Sequence, residues 1–365
     1  MIFHLITNFE SWGGAERNLL KIINNSNNSV VIISLKSDSM KKYINRPSGA
    51  DSAAVIALEL NGILEFLYSP FIVARVIREH TEEEKTKIIS WMYHACFVAA
   101  LVKIISRGKY VCWNIRHSLD HLASDSYSTR LAIAACSFVA FLANRIIYNS
   151  FKSRDQHKKI FFLTSATSSV VYNPIEDEFL LRSNKIRRSL GCRNKNFLIL
   201  GRNHPNKNFN ALVCAIIDFI DEGNDECHFF FYGDGVDVLS RHLEPRHESL
   251  VFFSGPIMIT ADFFDQFDFL ISSSLTESFP NVVLEAMARG LPCIVTNRGD
   301  APLIVGKSAV AVCEPSQKDL KAAIVMASKI DENTYSRLSF EARSIVSRDY
   351  IMSSFKNSYS NLFFD

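Results

Sequence analysis

Two glutamates eight positions apart, Glu277 and Glu285, stand in the stretch best suited to chemistry, DFLISSSLTESFPNVVLEAMARGLPCIVT over residues 268–296. An apolar run, Phe269 to Ile271, ends in small polar residues and then Glu277. Phe279, Pro280 and Asn281 form a turn, and an apolar-periodic segment carrying Glu285 closes at Gly290. Pro292 leads into the apolar run Cys293 to Val295. This spacing predicts strand, loop, helix and strand, with the carboxylates bracketing the helix start. Carboxylates accept hydrogen bonds from hydroxyl groups, and the unpaired amides of a helix N-terminus meet negative charge. The stretch therefore suits a ligand with hydroxyls and a phosphate. Asn281 is expected to cap the helix.

Arg202 and Lys207 follow the apolar run Phe197 to Gly201. One offers a planar fork and the other a mobile point charge, and together they could neutralise an anionic leaving group. His204 between them reads as a solvated loop histidine. Gly13 and Gly14 permit close backbone approach to a phosphate or sugar. Their surroundings are not G-x-G-x-x-G, and no G-K-[ST] motif occurs, so a dinucleotide or ATP site gains little support. Glu16 fits a capping role in a helix's first turn. His94 follows the apolar segment Ile88 to Met92 at a strand end. Arg116 and His117 follow the strand Tyr110 to Ile115, and with Arg145 they are candidates for an acceptor phosphate.

These residues need elements to hold them. In the front half, strands are predicted at Ile2 to Ile6, Val30 to Leu35, Ala53 to Leu58, Lys87 to Ser90, Tyr110 to Ile115 and Arg145 to Asn149. Helices are predicted at Ala15 to Ile23, around Pro70 to His80, from Trp91 to Ser106 and at Ser128 to Ala143. The same alternation resumes at Phe197, with helices at Asn208 to Ile220 and Gln317 to Lys329. Buried-looking strands alternating with helices predict an α/β fold with mostly parallel sheets. Asn173-Pro174 reads as a boundary, because proline restricts the residue before it. At 365 residues there is room for two domains of ordinary size. We place residues 1–172 in one and 173–348 in the other.

The composition, 48% hydrophobic and 21% charged, excludes wholesale disorder. Residues 1–172 hold 20 Lys or Arg against 13 Asp or Glu, and residues 173–365 hold 20 against 25, giving +7 and −5. A basic front half fits an acidic acceptor or an anionic membrane surface. No zinc finger, basic helix or aromatic-basic sheet motif points to nucleic acid. Cysteines at 96, 112, 136, 192, 214, 227, 293 and 313 lack metal-site spacing and read as buried thiols of a reducing compartment. The opening MIFHLITNF reads as a strand rather than a secretion signal, and no stretch reaches the length of a membrane span. A cytoplasmic location is expected, with room for peripheral contact on the inner membrane's cytoplasmic face.

The segment Glu277 to Glu285, ESFPNVVLE, with its continuation AMARGLP to Pro292, resembles the paired-glutamate motif of the retaining glycosyltransferases of family 4. Gly13-Gly14-Ala15-Glu16-Arg17, Gly201-Arg202 with Lys207-Asn208, and Gly233-Asp234-Gly235 resemble three further motifs of that family in the same order. The resemblance covers nearly the whole chain. It implies the GT-B fold, two facing Rossmann-like domains with an interdomain cleft, the last helix of residues 349–365 crossing back to complete the first domain. It implies transfer of a sugar from a nucleoside-diphosphate sugar, a UDP-sugar favoured, with retained configuration.

By this resemblance Glu277 meets the donor sugar's hydroxyls near the reacting carbon, and Glu285 binds the ribose. Phe279, Pro280, Asn281 and Val282 lend the diphosphate their backbone, Arg202 and Lys207 grip it, and Gly13, Gly14 and Gly233 line the donor site. His94 reaches the sugar from the first domain. A front-face substitution is expected, in which the departing diphosphate helps deprotonate the acceptor. No cofactor and no metal are expected, since Arg202, Lys207 and helix amides supply the positive field. The expected acceptor is a polyprenyl-diphosphate-linked glycan in surface-polysaccharide assembly. A soluble enzyme acting on a small molecule or protein, a sugar-nucleotide epimerase and an inactive scaffold remain as alternatives. One departure is Asn173-Pro174-Ile175-Glu176, where many family members have glycine after the asparagine; proline cannot adopt glycine's positive φ.

Overall fold

The computed structural model describes every residue except 11–13, 27, 46–51, 82–85, 107–108, 121, 123–124, 162–163, 182–193 and 364–365, with only the backbone path given for 360–363. The chain divides into two compact units, Met1–Val171 and Tyr172–Asp365. In the first, the strands are β1 (Ile2–Ile6), β2 (Val30–Ser34), β3 (Ala53–Ala57), β4 (Lys87–Trp91), β5 (Tyr110–Ile115), β6 (Arg145–Tyr148) and β7 (Thr167–Val170). They form one parallel sheet in the order β3-β2-β1-β4-β5-β6-β7. The order reverses between β1 and β4, whose last residues Ile6 and Trp91 lie side by side. Such a reversal leaves a crevice at the carboxyl ends of the strands.

The helices of this unit are α1 (Gly14–Asn24), α2 (Ile63–His80), α3 (Met92–Ile105), α4 (Tyr127–Val139) and α5 (Phe151–Ile160). α3 is buried along most of its length and lies between α2 and α4. Two of these helices differ from the sequence expectation. α2 starts seven residues before Pro70, which sits inside it. Proline cannot donate to the carbonyl four residues back, and the Ser69 hydroxyl takes that place, donating to the Phe66 carbonyl at 2.7 Å. α5 was absent from the sequence expectation because FKSRDQHKKI carries almost no apolar periodicity. Its signature is polar: Ser150 caps the N-terminus by accepting from the Ser153 amide at 3.0 Å, and His157, Lys158 and Lys159 occupy the last turn.

The second unit holds β8 (Lys195–Leu200), β9 (Cys227–Tyr232), β10 (Val251–Ser254), β11 (Phe269–Ser272), β12 (Cys293–Thr296) and β13 (Ala309–Cys313). They too are parallel, in the order β10-β9-β8-β11-β12-β13. Its helices are α6 (Asp177–Leu180), α7 (Phe209–Asp221), α8 (Ala261–Phe264), α9 (Asn281–Ala288), α10 (Ala301–Val305), α11 (Gln317–Ser328), α12 (Glu332–Asp349) and α13 (Met352–Phe363). Phe229, Phe197 and Phe269 stack across the three central strands at 5.1 Å per step, and Tyr335 closes the stack edge-on. This aromatic ladder fixes β8 against β11, the point of reversal in the order. The loops leaving those two strands carry most of the residues singled out above.

Two buried histidines make the first unit acid-sensitive. Trp91 donates its indole N–H to His4 Nδ1 at 3.2 Å, which requires that nitrogen to be unprotonated. His157 Nδ1 bonds the Ser153 carbonyl at 2.7 Å and its Nε2 meets the Tyr93 hydroxyl at 2.7 Å, so a neutral ring satisfies both. Burial lowers His4 to about 3 and His157 to about 4. The unfolded chain protonates both near 6.5, so it binds more protons, and stability is lost as pH falls from there towards 4. On the order of 3 kcal/mol per histidine should be gone by that point. Thermal unfolding followed from neutral to acid pH should show a falling Tm whose slope is roughly halved in His157→Asn. A Tm indifferent to pH over this range would contradict the account.

Candidate active site

Glu277 lies in the loop between β11 and α9, and its carboxylate is not free. Lys207 Nζ meets Glu277 Oε2 at 2.8 Å, and the Ser274 hydroxyl lies 3.5 Å from the same oxygen. The loop is tied down on both sides. Ser273 Oγ donates to the Lys207 carbonyl at 2.7 Å, the Leu275 amide to the Asn206 carbonyl at 2.8 Å, and Thr296 Oγ1 to the Ser274 carbonyl at 2.6 Å. The loops after β8 and β11 are thus laced together, and the cation and the carboxylate that the sequence placed 70 residues apart become neighbours. Ser273, Ser274, Asn206 and Thr296 were not singled out from sequence, because small polar residues after a strand carry no motif of their own.

The start of α9 departs from one expectation. Its N-cap position is Pro280, which has no capping side chain, and Asn281 is already the first helical residue. Asn281 does not cap; its Oδ1 accepts from Asn173 Nδ2 at 2.7 Å. Phe279, just before Pro280, is buried, its ring tilted against Tyr172 at 5.4 Å and Tyr350 at 6.0 Å, so the chain is anchored one residue ahead of the proline. Val283 and Leu284 donate back to the Pro280 carbonyl. The amides of the first turn therefore lack a side-chain cap, an arrangement that favours an anion. Glu285 sits one turn further on and is only 2% exposed, so it is not a solvated surface glutamate.

Arg202 and Lys207 bracket a short turn at Pro205–Lys207, capped by His204, whose Nδ1 accepts from the Asn206 amide at 3.2 Å. His204 is half-buried rather than fully solvated, and burial with the nearby Arg202 and Lys207 charges lowers its pKa. Arg202 is exposed. Gly233 supports it by being small: a Cβ there would lie 2.0 Å from the Gly201 carbonyl oxygen and 3.1 Å from the Arg202 nitrogen. Gly299, not singled out from sequence, does the same for the other loop. Its φ is +56°, and a Cβ would lie 1.9 Å from the Glu277 carbonyl oxygen.

In the first unit, Met92 turns the chain from β4 into α3 with φ +66°, an uncommon conformation for a residue with a side chain. His94 follows in the first turn of α3, edge-on to Phe66 at 5.8 Å. Burial first, then the Lys36 charge, lowers its pKa, with a bond to the Ser128 backbone acting the other way. A neutral imidazole results near neutral pH, able to donate to or accept from a hydroxyl.

Arg116 leaves the end of β5 stacked 5.5 Å over Trp91, its Nε donating to Asn114 Oδ1 at 2.8 Å. His117 Nε2 meets Asp125 Oδ2 at 2.9 Å. Arg145 stands apart from these two, since it opens β6 opposite Cys112, at the amino end of the sheet. Gly14 opens α1, where Asn18 Nδ2 bonds its carbonyl, and Glu16 lies in the first turn with its pKa raised by burial. Gly13 lies outside the described residues, as does Cys192. Among the described residues, no three His, Cys, Asp or Glu side chains gather as a metal ion would require, and no helix is long and apolar enough to cross a membrane.

Residues 194–329 match the family model described as Glycosyl transferases group 1, a span that contains Arg202, Lys207, Glu277 and Glu285. No curated protein matches the sequence. Among solved structures, Anabaena HepE in complex with UDP is similar at a TM-score of 0.77 and 18% identity, over 100% of both chains. Sucrose-phosphate synthase from Thermosynechococcus elongatus is similar at 0.74 and 15%, over 100% of this chain and 98% of that one. A glycosyltransferase from Rickettsia africae is similar at 0.74 and 14%, over 99% and 97%. The two parallel α/β units are those of the GT-B fold, and the resemblance to group 1 glycosyltransferases holds in the second unit. At these identities the structural likeness is one of fold.

Proposed function

We propose that the chain is a retaining glycosyltransferase that moves a sugar from a nucleoside-diphosphate sugar, a UDP-sugar first, to an acceptor hydroxyl. The observation that carries this reading is the Lys207–Glu277 pair at 2.8 Å, set beside the uncapped start of α9. A cation, a carboxylate and helix amides at one strand end suit a ligand that is anionic at one side and hydroxylated at the other. The match of residues 194–329 to group 1 glycosyltransferases supports it, and the UDP and UDP-glucose complexes of HepE favour uridine. In this reading Lys207 and Arg202 hold the diphosphate, with the backbone of residues 279–282 and the Gly233 turn beside them. Glu277 orients the sugar and stabilises charge at its reacting carbon, and Glu285 accepts from the ribose. His94, held neutral, bonds a sugar hydroxyl. The departing diphosphate takes the acceptor's proton, and no metal is needed.

For the acceptor we propose a lipid-linked glycan of surface-polysaccharide assembly, with Arg116 and His117 as its phosphate partners; Arg145, at the amino end of the sheet, does not join them. A peripheral place at the inner membrane's cytoplasmic face goes with that acceptor. The donor part is tested first, by thermal shift with UDP, GDP and ADP in the presence of EDTA. Saturating UDP at about a hundred times Kd contributes about 2.7 kcal/mol, or roughly 3 to 4 °C for a chain of this size unfolding as one. The shift should shrink strongly in Glu285→Ala, provided the unliganded variant still melts cooperatively. No shift with any of the three nucleotides would remove the donor assignment.

A further inference from the structure

α4 is apolar on both of its faces. Ala132, Ile133 and Cys136, with Ala140 just beyond, are buried in the core of the first unit. On the other side Tyr127, Leu131 and Phe138 are 76%, 60% and 71% exposed, with Ala134 exposed between them, and Phe141 in the 3-10 turn that follows (Ala140–Leu142) is 54% exposed. Steps of four and three residues keep a stripe on one side of a helix, and an ordinary surface helix turns polar residues that way. α2 repeats the pattern over its first half, where Ile63, Leu64, Leu67, Tyr68 and Phe71 are exposed. Both helices pack against α3, so the two stripes belong to one helical layer. The last turn of α3 adds exposed Ile104 and Ile105 beside the end of α4, where Lys103 Nζ donates to the Leu142 carbonyl at 2.8 Å. Scattered exposed apolar residues need no explanation, but a group of this size does.

Charge indicates what covers it. Met1–Trp91 holds 10 Lys or Arg against 10 Asp or Glu, whereas Met92–Val171 holds 10 against 3. The whole positive excess of the unit thus falls on the segment that carries α3, α4 and α5. Arg130, on α4 itself, lies over the exposed Tyr127 ring at 6.0 Å. Exposed aromatic and aliphatic side chains backed by cations are the composition of a helix lying in an anionic bilayer interface. A second copy would set like charges against each other.

We propose that α4, together with the first half of α2, docks the first unit on an anionic lipid bilayer. The inference rests on the reading above only for its purpose, presenting a lipid-linked acceptor; the surface itself stands on exposure and charge. The experiment is co-sedimentation with vesicles of phosphatidylcholine alone and of equal parts phosphatidylcholine and phosphatidylglycerol. Wild type should pellet with the anionic vesicles, less so at high salt, and stay in solution with the neutral ones. Leu131→Glu/Phe138→Glu should partition at least about tenfold more weakly, and Arg130→Glu roughly tenfold more weakly should the double variant fail to fold. Phe340→Glu, on α12 and 70% exposed in wild type, should bind as wild type does. The idea is overturned if wild type ignores anionic vesicles at low salt, or if both stripe variants bind undiminished. It is equally overturned if wild type is a dimer that the double variant dissociates while vesicles go unbound, since the stripe would then join two copies. UDP thermal shift on the same samples keeps the two readings separate: vesicle binding without a UDP shift counts against the donor assignment alone.

Discussion

Glu277→Gln is expected to lower kcat by about two to three orders of magnitude while Tm stays within a few degrees of wild type. The small effect on folding follows from the environment of the pair. Lys207 and Glu277 keep 33% and 19% of their side-chain surface exposed, and an ion pair so solvated contributes at most about 1 kcal/mol. Glutamine keeps the shape and can still accept from Lys207. What it lacks is the charge that would offset positive charge developing at a sugar carbon. UDP affinity should hold or tighten a few-fold, because Lys207 then meets the diphosphate without a competing carboxylate. The check is kcat, KM and the UDP thermal shift measured on one preparation. Full turnover in the variant would remove Glu277 from the chemistry, and a large fall in Tm would make it a structural residue instead.

The pair also constrains how a donor would enter. Lys207 bonds to Glu277, so in the proposed reading a diphosphate must share that ammonium or draw it away. Sharing is the easier course, since an ammonium has three donors. A phosphate on one side and the carboxylate on the other would keep Glu277 where the sugar has to meet it. In the proposed reading Lys207 would bind the leaving group and position the carboxylate at once, which a simple count of surface ion pairs would miss.

Much of this was legible in the sequence because period and punctuation agreed. Buried strands such as Ile2–Ile6 and Phe269–Ser272 are short apolar runs ending in polar loops, and both sheets came out parallel as expected. Residues at strand ends, Lys207, Glu277 and Arg116 among them, could be placed for the same reason. What could not be read lay in side chains whose role depends on a partner far away in sequence. α5 has no apolar stripe, the Pro70 helix survives because one serine hydroxyl replaces one amide, and Asn281 bonds Asn173 instead of its own helix. Arg145, the weakest of the three phosphate candidates, opens β6 and so stands at the amino end of the sheet, away from Arg116.

Gly299 is the sharpest example, and replacing it with alanine is expected to damage both stability and turnover. Two separate costs meet there. With φ at +56°, any side chain strains the backbone by about 1 kcal/mol. The added Cβ would also lie 1.9 Å from the Glu277 carbonyl oxygen and 2.9 Å from that of Ser278, both of them backbone atoms that cannot rotate away. Relief therefore means moving the loop that carries Glu277 by about 1 Å, for a total of roughly 2 to 4 kcal/mol and about a hundredfold in kcat. Gly306→Ala separates the two costs. Its φ is +48°, yet a Cβ there would meet only the end of Ile345 at 3.6 Å. Its ψ of −127° lies outside the left-handed helical region, so that control should lose about 1 to 3 kcal/mol and keep its kcat. Equal kcat in both variants would mean that the Glu277 loop tolerates displacement, and that its position is set by Lys207 and the serines rather than by the close approach of Gly299.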